Sequence, residues 1–254
     1  MPMNQGQRVS TLPEGLEATA GRIEKITVQQ KSGWNAVVGT TTETIHPGGG
    51  LVTRPDSAGE LLKVSSSNAL DKNAGSGACR RVRITGFAAD GTALEEDLNM
   101  DATDGTTPVT TTNSFAHVTN FQVQKTGSGG DFNAGDITLY LNDGTTAISV
   151  IKAGQNADLQ AAWTMTGTQT GFITSFTAST DEPAYISIWG GSPGKSWLQQ
   201  FRMLLPAAGT YTYQLTNPIK LGAPDVFTYN EFRGQAVSSN ANMTVDFQII
   251  VEEN

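Results

Sequence analysis

The stretch MTVDFQIIV, residues 243–251, decides the fold class of this chain. Its apolar side chains occupy every second position: Met243, Val245, Phe247, Ile249 and Val251. Successive side chains of a β-strand point to opposite faces of the sheet, so this alternation predicts a strand with one buried face.

The same period of two recurs along the chain. Further alternating apolar sets are Val82 and Ile84; Ile137, Leu139 and Leu141; Ile186 and Ile188; Phe201, Met203 and Leu205; Tyr211, Tyr213 and Leu215. Turn-forming pairs separate these runs, at Asp90-Gly91, Asp104-Gly105, Asp143-Gly144, Gly190-Gly191 and Asn217-Pro218. Strands joined by such turns indicate antiparallel sandwiches or jelly rolls. Only residues 14–24 and 153–162 resemble helices, and both do so weakly.

We therefore predict an all-β protein with two antiparallel domains of the β-sandwich or jelly-roll-like kind. A break in the strand pattern near residues 151–158 separates two strand-rich blocks. The predicted organisation is an extended N-terminal arm at residues 1–30, a first sandwich at 31–152 and a second at 153–254.

The composition narrows the function classes. Only 16% of the 254 residues are charged and 28 are glycine, which favours strands and turns over surface helices. The net charge of −8 argues against nucleic-acid binding, which needs a basic surface to replace counterions around phosphates. The one cysteine, Cys79, excludes a disulfide within the chain and a cysteine-based metal site.

No targeting or membrane-spanning segment is evident in the sequence. The N-terminus has no apolar run of the secretory type, and no stretch approaches the roughly 18 apolar residues of a transmembrane helix. We therefore expect no membrane partner and folding in a cytoplasm.

A near-match to a phosphate-binding loop lies at ISIWGGSPGKSW, residues 186–197. Counting back from Gly194-Lys195-Ser196 places Trp189 where the loop requires its first glycine. Pro193 lacks an amide donor, and the residues after Ser196 alternate like a strand instead of forming the helix that completes an anion site. We interpret the stretch as a hairpin loop.

A hydrolase interpretation of the same loop also fails. Gly190, Ser192 and Gly194 have the spacing of a nucleophile elbow, but that motif requires a histidine further along the chain. His46 and His117 both precede Ser192, and their wide separation gives no metal-binding pattern. We interpret His117 as a packing or surface residue of a strand, and His46 as a loop residue.

One acidic run is explained by a solvent-exposed edge strand, and a second acidic segment leaves open a calcium loop. Glu95, Glu96 and Asp97 form a run in which alternation places Glu95 and Asp97 on the solvent face, as expected for an edge strand. The segment Asp101–Gly105 could be a calcium loop, although it lacks the regular ligand spacing and the distal glutamate.

Four tryptophans could form a sugar-binding surface or fill the core. These are Trp34, Trp163, Trp189 and Trp197. Trp189 adjoins the glycine-rich loop and could be exposed, whereas Trp163 and Trp197 follow strand patterns typical of core residues. We predict no catalytic, cofactor-binding or metal-binding residue, and no enzyme activity.

Residues 75–141 resemble a family of virion structural proteins of tailed phages, particularly marine ones. The resemblance rests on turn and strand motifs at Gly75–Arg80, Gly86–Gly91, Gly105–Phe115 and Ala134–Thr138. AAWTMTGTQTGFITSFTAS resembles the opening of that family's second sandwich, and NANMTVDFQIIVEEN resembles its final strand. The resemblance covers roughly residues 34–254.

The resemblance implies a non-enzymatic component of a virion. It would be a capsid-surface cement or decoration protein, a homo-oligomer and by class a trimer, whose partners are the major capsid protein or other virion proteins. The N-terminal arm would become ordered against neighbours, with repeated contacts offsetting the entropy of ordering. The alternative is a tail, fibre or baseplate component that binds a host glycan through exposed aromatic side chains.

Overall fold

The computed structural model describes residues 25–253, except residues 76, 129, 207 and 222–226. All regular secondary structure in this part of the chain is β, which confirms the predicted all-β class. No helix long and apolar enough to cross a membrane occurs among these residues. Residues 1–24, which hold most of the predicted arm and the first weak helix, lie outside the described residues.

The described chain forms sixteen strands. In chain order they are β1 (Ile26–Val38), β2 (Glu43–Thr44), β3 (Lys63–Ser66), β4 (Cys79–Phe87), β5 (Ala93–Asn99), β6 (Val109–Thr110), β7 (His117–Thr126), β8 (Ile137–Tyr140), β9 (Ala147–Ile151), β10 (Ala162–Thr166), β11 (Gln169–Thr180), β12 (Ala184–Gly191), β13 (Leu198–Leu205), β14 (Gly209–Leu221), β15 (Phe227–Ala236) and β16 (Ala241–Glu253).

A large sandwich is built from two sheets. One has the strand order β1-β16-β11-β14, and the other has β10-β15-β12-β13 with β2 paired to β15. The alternating apolar residues of β16 all face the core between the sheets, where none is more than 4% exposed. Because β16 pairs with β1 on one side and β11 on the other, it is the centre of its sheet, as its unbroken alternation indicates.

A small sandwich is built from the middle of the chain. Its sheets have the orders β6-β3-β8-β9 and β5-β4-β7. Val82 and Ile84 of one sheet and Ile137 and Leu139 of the other are fully buried in a shared core. All pairs in both sandwiches are antiparallel, and the finer expectation of jelly-roll topology stays a prediction.

Sheet pairing groups the chain differently from the predicted boundaries. Residues 26–38 form β1 and pair with β16, and residues 43–44 pair with β15, so both segments belong to the large sandwich. The predicted arm therefore cannot extend beyond Lys25 among the described residues. The physical reason is that β1 pairs with β16, whose residues lie about 214 positions further along the chain. Periodicity cannot identify so distant a partner.

The weak helix predicted at residues 153–162 is wrong. Its backbone groups bond across to other segments: Asp158 N donates to Phe121 O at 2.9 Å, and Leu159 O accepts from Trp34 N at 3.0 Å. Asn156 has a positive φ of 58°, which interrupts any helical run. The segment is thus an irregular connection, with a turn at residues 153–154, between the two sandwiches.

A buried carboxylate organises the loops of the small sandwich. Asp71 is fully buried, and its Oδ1 accepts hydrogen bonds from Cys79 N at 2.9 Å and Ala134 N at 2.8 Å. Its Oδ2 accepts from Gly135 N at 2.9 Å and from the Ser66 hydroxyl at 2.6 Å. One side chain therefore satisfies three backbone donors, one at the start of β4 and two in the connection between β7 and β8.

Candidate functional site

The glycine-rich stretch 186–197 forms a hairpin, as predicted. Strands β12 and β13 pair antiparallel around it, and Lys195 N donates to Ser192 O at 3.0 Å. Gly194 has a φ of 70°, a left-handed conformation that glycine adopts without strain. The Gly-Lys-Ser sequence is thus part of a turn followed by a strand, and it lacks the helix of a phosphate site.

The two tryptophans at the base of this hairpin hold arginine side chains. The guanidinium of Arg233 lies 4.7 Å from the Trp189 ring centre and 4.8 Å from that of Trp197. Arg54 lies 4.9 Å from the Trp197 ring and 4.7 Å from the Tyr229 ring. Such distances are those of cation–π contacts. We call these five residues the arginine stack.

Glu231 joins the two arginines of the stack. Its Oε2 lies 3.0 Å from Arg54 Nη2, and its Oε1 lies 2.5 Å from Arg233 Nε. The Glu231 side chain is only 1% exposed, and the two arginine side chains are 12% and 10% exposed. A buried carboxylate between two buried guanidinium groups compensates their charges. Removal of any one of the three would leave an uncompensated buried charge.

His117 extends this cluster into the small sandwich. Its ring stacks on Tyr229 with centroids 5.3 Å apart, and its Nε2 is hydrogen-bonded to the Thr164 hydroxyl. Burial lowers the pKa of His117 well below 6.5, and the nearby cations Arg54 and Lys31 lower it further. Burial also raises the pKa of Tyr229, against the opposing effect of Arg54. Of the two interpretations of His117, as a packing or as a surface residue, its 4% exposure supports packing.

Acid is expected to weaken the fold through His117. Because its pKa is lower in the folded than in the unfolded chain, its contribution is complete above about pH 6.5 and declines as pH falls below that value. One such proton changes the free energy of unfolding by up to about 1.4 kcal/mol per pH unit. Chemical unfolding of His117→Gln between pH 7 and pH 5 should show a shallower acid loss than wild type.

His46→Gln is the matched control for that measurement. Burial lowers the pKa of His46 too, but backbone contacts and the carboxylates of Glu231 and Glu43 oppose the shift. Its effect on the slope should be the smaller of the two. If the free energy of unfolding fell equally with pH in wild type and His117→Gln, His117 would not be the group that weakens the fold in acid.

The arginine stack lies where the two sandwiches meet. Arg54 belongs to the connection between β2 and β3, whereas the remaining members come from β12, β15 and the hairpin of the large sandwich. Next to it, Phe87 of β4 packs on Phe227 of β15, with ring centroids 6.1 Å apart. Lys31 of β1 also donates to Thr119 O of β7. The cluster therefore fastens one sandwich to the other.

Sequence reasoning missed the charged members of this cluster. Glu231 and Arg233 alternate with the core residue Phe232, a pattern that indicates a solvent face. Arg54 and the hairpin tryptophans cover Glu231 and Arg233, and Phe87 and His117 of the small sandwich cover Phe227 and Tyr229. Strand β15 is therefore buried on both sides over almost its whole length. Trp163 fills the core as predicted, whereas Trp197 is half-buried against Phe227 and Tyr229 outside the main core.

The other chemistry-bearing residues make structural contacts. Strand β5 is an edge strand as predicted, and on it Glu95 and Asp97 pair with Arg83 at 3.0 and 2.7 Å. Glu96 points inward and accepts hydrogen bonds from the backbone of Thr112 at 2.7 Å. Burial raises the pKa of the Cys79 thiol to about 12, so this group is not a nucleophile near neutral pH.

The segment Asp101–Gly105 forms turns stabilised by its own carboxylates. Asp101 Oδ1 accepts from Thr103 N at 2.8 Å and Asp104 N at 3.0 Å, and Asp104 Oδ1 accepts from Thr106 N at 2.9 Å. Across the part of the chain that the structure describes, no group of three or more His, Cys, Asp or Glu side chains is placed to hold a metal ion.

Trp34 lies on the outer face of the β1-β16-β11-β14 sheet. It is half-buried, and its Nε1 donates to Asn242 Oδ1 at 3.0 Å. Two open grooves, of about 390 and about 450 Å³, lie on this sheet. Asp246 and Thr177 line the first, and Trp34, Asn242 and Asp181 line the second.

Comparison with known proteins adds no family. No protein-family model matches the chain, and no curated protein matches it. Among solved structures, the Gx strain of infectious bursal disease virus is 11% identical with a TM-score of 0.16, over 90% of this chain and 77% of that one. The VP2 subviral particle of the same virus is 10% identical with a TM-score of 0.16, over 91% and 77%. Likeness at that TM-score supports no conclusion about this chain.

Proposed function

We propose that this chain is a non-enzymatic virion structural protein, a cement or decoration protein on a phage capsid surface. The observation that carries the proposal is the arginine stack with Glu231 and His117. These groups are the strongest candidates for chemistry, and the structure places them in a junction that holds two sandwiches together. The sequence resemblance to phage virion proteins supports the same role.

The remaining architecture suits a protein that binds by shape. The strands β1, β14 and β16 each run for 13 residues, and β13 and β14 are edge strands in the described sheets. On β13, Leu198 and Leu204 are 68% and 48% exposed. Edge strands and exposed apolar side chains are places where neighbouring subunits can attach. Within this proposal the protein forms homo-oligomers, and the resemblance implies a trimer. Its partners are the major capsid protein or other virion proteins.

Deleting residues 2–24 tests the role of the N-terminal segment. We expect the shortened protein to stay folded, because it keeps every described strand, beginning with β1 at Ile26. We also expect it to be lost from particles, since repeated arm contacts would supply the avidity. The measurement is the copy number per purified virion by quantitative mass spectrometry, together with the thermal stability of the particle.

Three outcomes would count against this proposal. Wild-type occupancy of the shortened protein on particles would remove the cement role of the segment. Density for the protein confined to the tail in an electron-microscopy map would favour the alternative of a tail, fibre or baseplate component. Hydrolysis of a host polysaccharide by the pure protein would contradict the non-enzymatic assignment.

A further inference from the structure

One end of the outer face of the β1-β16-β11-β14 sheet has an unusual composition. Strand register places three successive rows of outward residues across all four strands there, whereas the rows beyond them include Lys220 and Glu252. The rows are Gln30, Gln248, Ser175 and Gln214; Ser32, Asp246, Thr177 and Thr212; Trp34, Thr244, Ser179 and Thr210. We call these twelve residues the polar face.

None of the twelve residues is lysine, arginine or glutamate. Exposed strands usually carry such long charged side chains, which protect a sheet from unwanted association. Here the side chains are short or uncharged, apart from the single carboxylate of Asp246. Short side chains also leave room, and the two grooves of about 390 and about 450 Å³ lie over successive rows.

The hydrogen-bonding groups of the polar face are held in place by one another. The Ser32 hydroxyl donates to Asp246 Oδ1 at 2.5 Å, and the hydroxyls of Thr177 and Thr212 are 3.0 Å apart. Ser179 and Thr244 are also hydrogen-bonded. Preorganised donors and acceptors lose less entropy when they bind a ligand than mobile side chains would.

Trp34 adds an apolar surface at one end of the polar face. The bond from its Nε1 to Asn242 fixes the indole beside the second groove, where Asp181 also lies. From Asn242 to Gln248 the strand extends roughly 20 Å, at about 3.3 Å per residue. A polar groove of that length with a fixed aromatic ring at one end is complementary to a chain of sugar rings. Hydroxyl groups would meet the polar side chains, and an apolar sugar face would cover the indole.

We propose that the polar face is a binding site for a neutral oligosaccharide. Sugar hydroxyls donate to carboxylate and amide oxygens and accept from amide and hydroxyl groups, which are the groups that the three rows supply. Asp246 and Asp181 line the grooves, and Lys31, which also lines the first, donates to Thr119 O. Since the chain carries a net charge of −8, an acidic polysaccharide is disfavoured. The site differs from the hairpin tryptophans, whose rings are occupied by Arg54 and Arg233.

The test is binding of the purified full-length protein to a printed array of neutral oligosaccharides, with carboxylated and sulfated glycans on the same array. Calorimetry with the best neutral oligosaccharide then compares wild type with three variants. Trp34→Ala removes the aromatic surface, Thr177→Arg fills the first groove, and Phe132→Ala removes an exposed aromatic residue of the small sandwich. Thermal unfolding of each variant shows whether it is folded.

We expect saturable binding to a neutral oligosaccharide, roughly tenfold weaker in Trp34→Ala and in folded Thr177→Arg, and unchanged in Phe132→Ala. The proposal is overturned by an absence of binding to every neutral glycan, by binding confined to acidic glycans, or by binding that neither Trp34→Ala nor Thr177→Arg weakens. The assay uses the isolated protein, so its outcome is independent of where the protein lies on a particle.

Discussion

Asp71→Ala is expected to lower the free energy of unfolding by at least about 3 kcal/mol. The substitution leaves three buried backbone N–H groups, those of Cys79, Ala134 and Gly135, without their acceptor. Each buried donor without a partner costs about 1–3 kcal/mol, and the methyl group of alanine cannot replace the carboxylate. Domains are usually stable by about 5–15 kcal/mol, so a loss of this size is a large part of the total.

Urea unfolding at neutral pH measures this loss, and two further variants define its cause. Asp71→Asn keeps one acceptor oxygen but points an NH₂ group at a backbone donor, so its loss should be intermediate. Asp90→Ala removes an exposed aspartate that accepts from Thr92 N at 2.8 Å in a hairpin turn, and should cost less than about 1 kcal/mol. Equal losses in Asp71→Ala and Asp90→Ala would show that the hydrogen bonds of Asp71 do not stabilise the small sandwich.

Periodicity predicted the strands because each has one face in a core. In β16 the apolar set Met243 to Val251 faces the core without a break, and in β4 Val82 and Ile84 do the same while Arg83 faces solvent. The edge position of β5 was predictable for a related reason. Its outward acidic residues Glu95 and Asp97 are the kind that protect a free edge. Local pattern and tertiary structure agree at these strands.

Pairing and junction contacts were not predictable from the same patterns. Strand β1 joins β16 across almost the whole chain, and periodicity carries no information on which distant strand is the partner. At β15, Glu231 and Arg233 alternate with Phe232 as exposed residues would, yet Arg54 and the hairpin tryptophans cover them. An alternating pattern shows which side of a strand is apolar. It does not show whether other segments cover the opposite side.

The polar face was only partly visible in the sequence. Trp34 was one of four candidate aromatic anchors, but the rows that surround it depend on the register of β1, β16, β11 and β14. Trp189 was the more obvious candidate because it adjoins a glycine-rich loop, whereas Trp197 followed a core pattern. In the structure, arginine side chains already cover Trp189 and Trp197. Which aromatic ring remains available is therefore a property of packing.

Glu231→Gln is expected to lower the free energy of unfolding by about 3–5 kcal/mol, because it leaves two buried guanidinium groups without a countercharge. Glutamine has almost the same shape, so the loss would come from charge and not from a cavity. Glu95→Gln is the matched control, since Glu95 also pairs with an arginine, Arg83, but is 55% exposed. That substitution should cost no more than about 1 kcal/mol.

The combined variant Arg54→Met, Glu231→Leu, Arg233→Met replaces all three ions at once. It shows whether the junction needs the ions for stability or needs only that no buried charge is left unpaired. Apolar replacement of a complete buried ion triad is often neutral or stabilising, whereas removal of one member is costly. The combined variant should therefore be more stable than Glu231→Leu alone, although it loses the contacts of both arginines with Trp189, Trp197 and Tyr229. Urea unfolding followed by tryptophan fluorescence reports on this cluster directly. Two results would show that charge balance does not hold the junction: wild-type stability of Glu231→Gln, or a combined variant less stable than Glu231→Leu. The aromatic contacts would then be its main support.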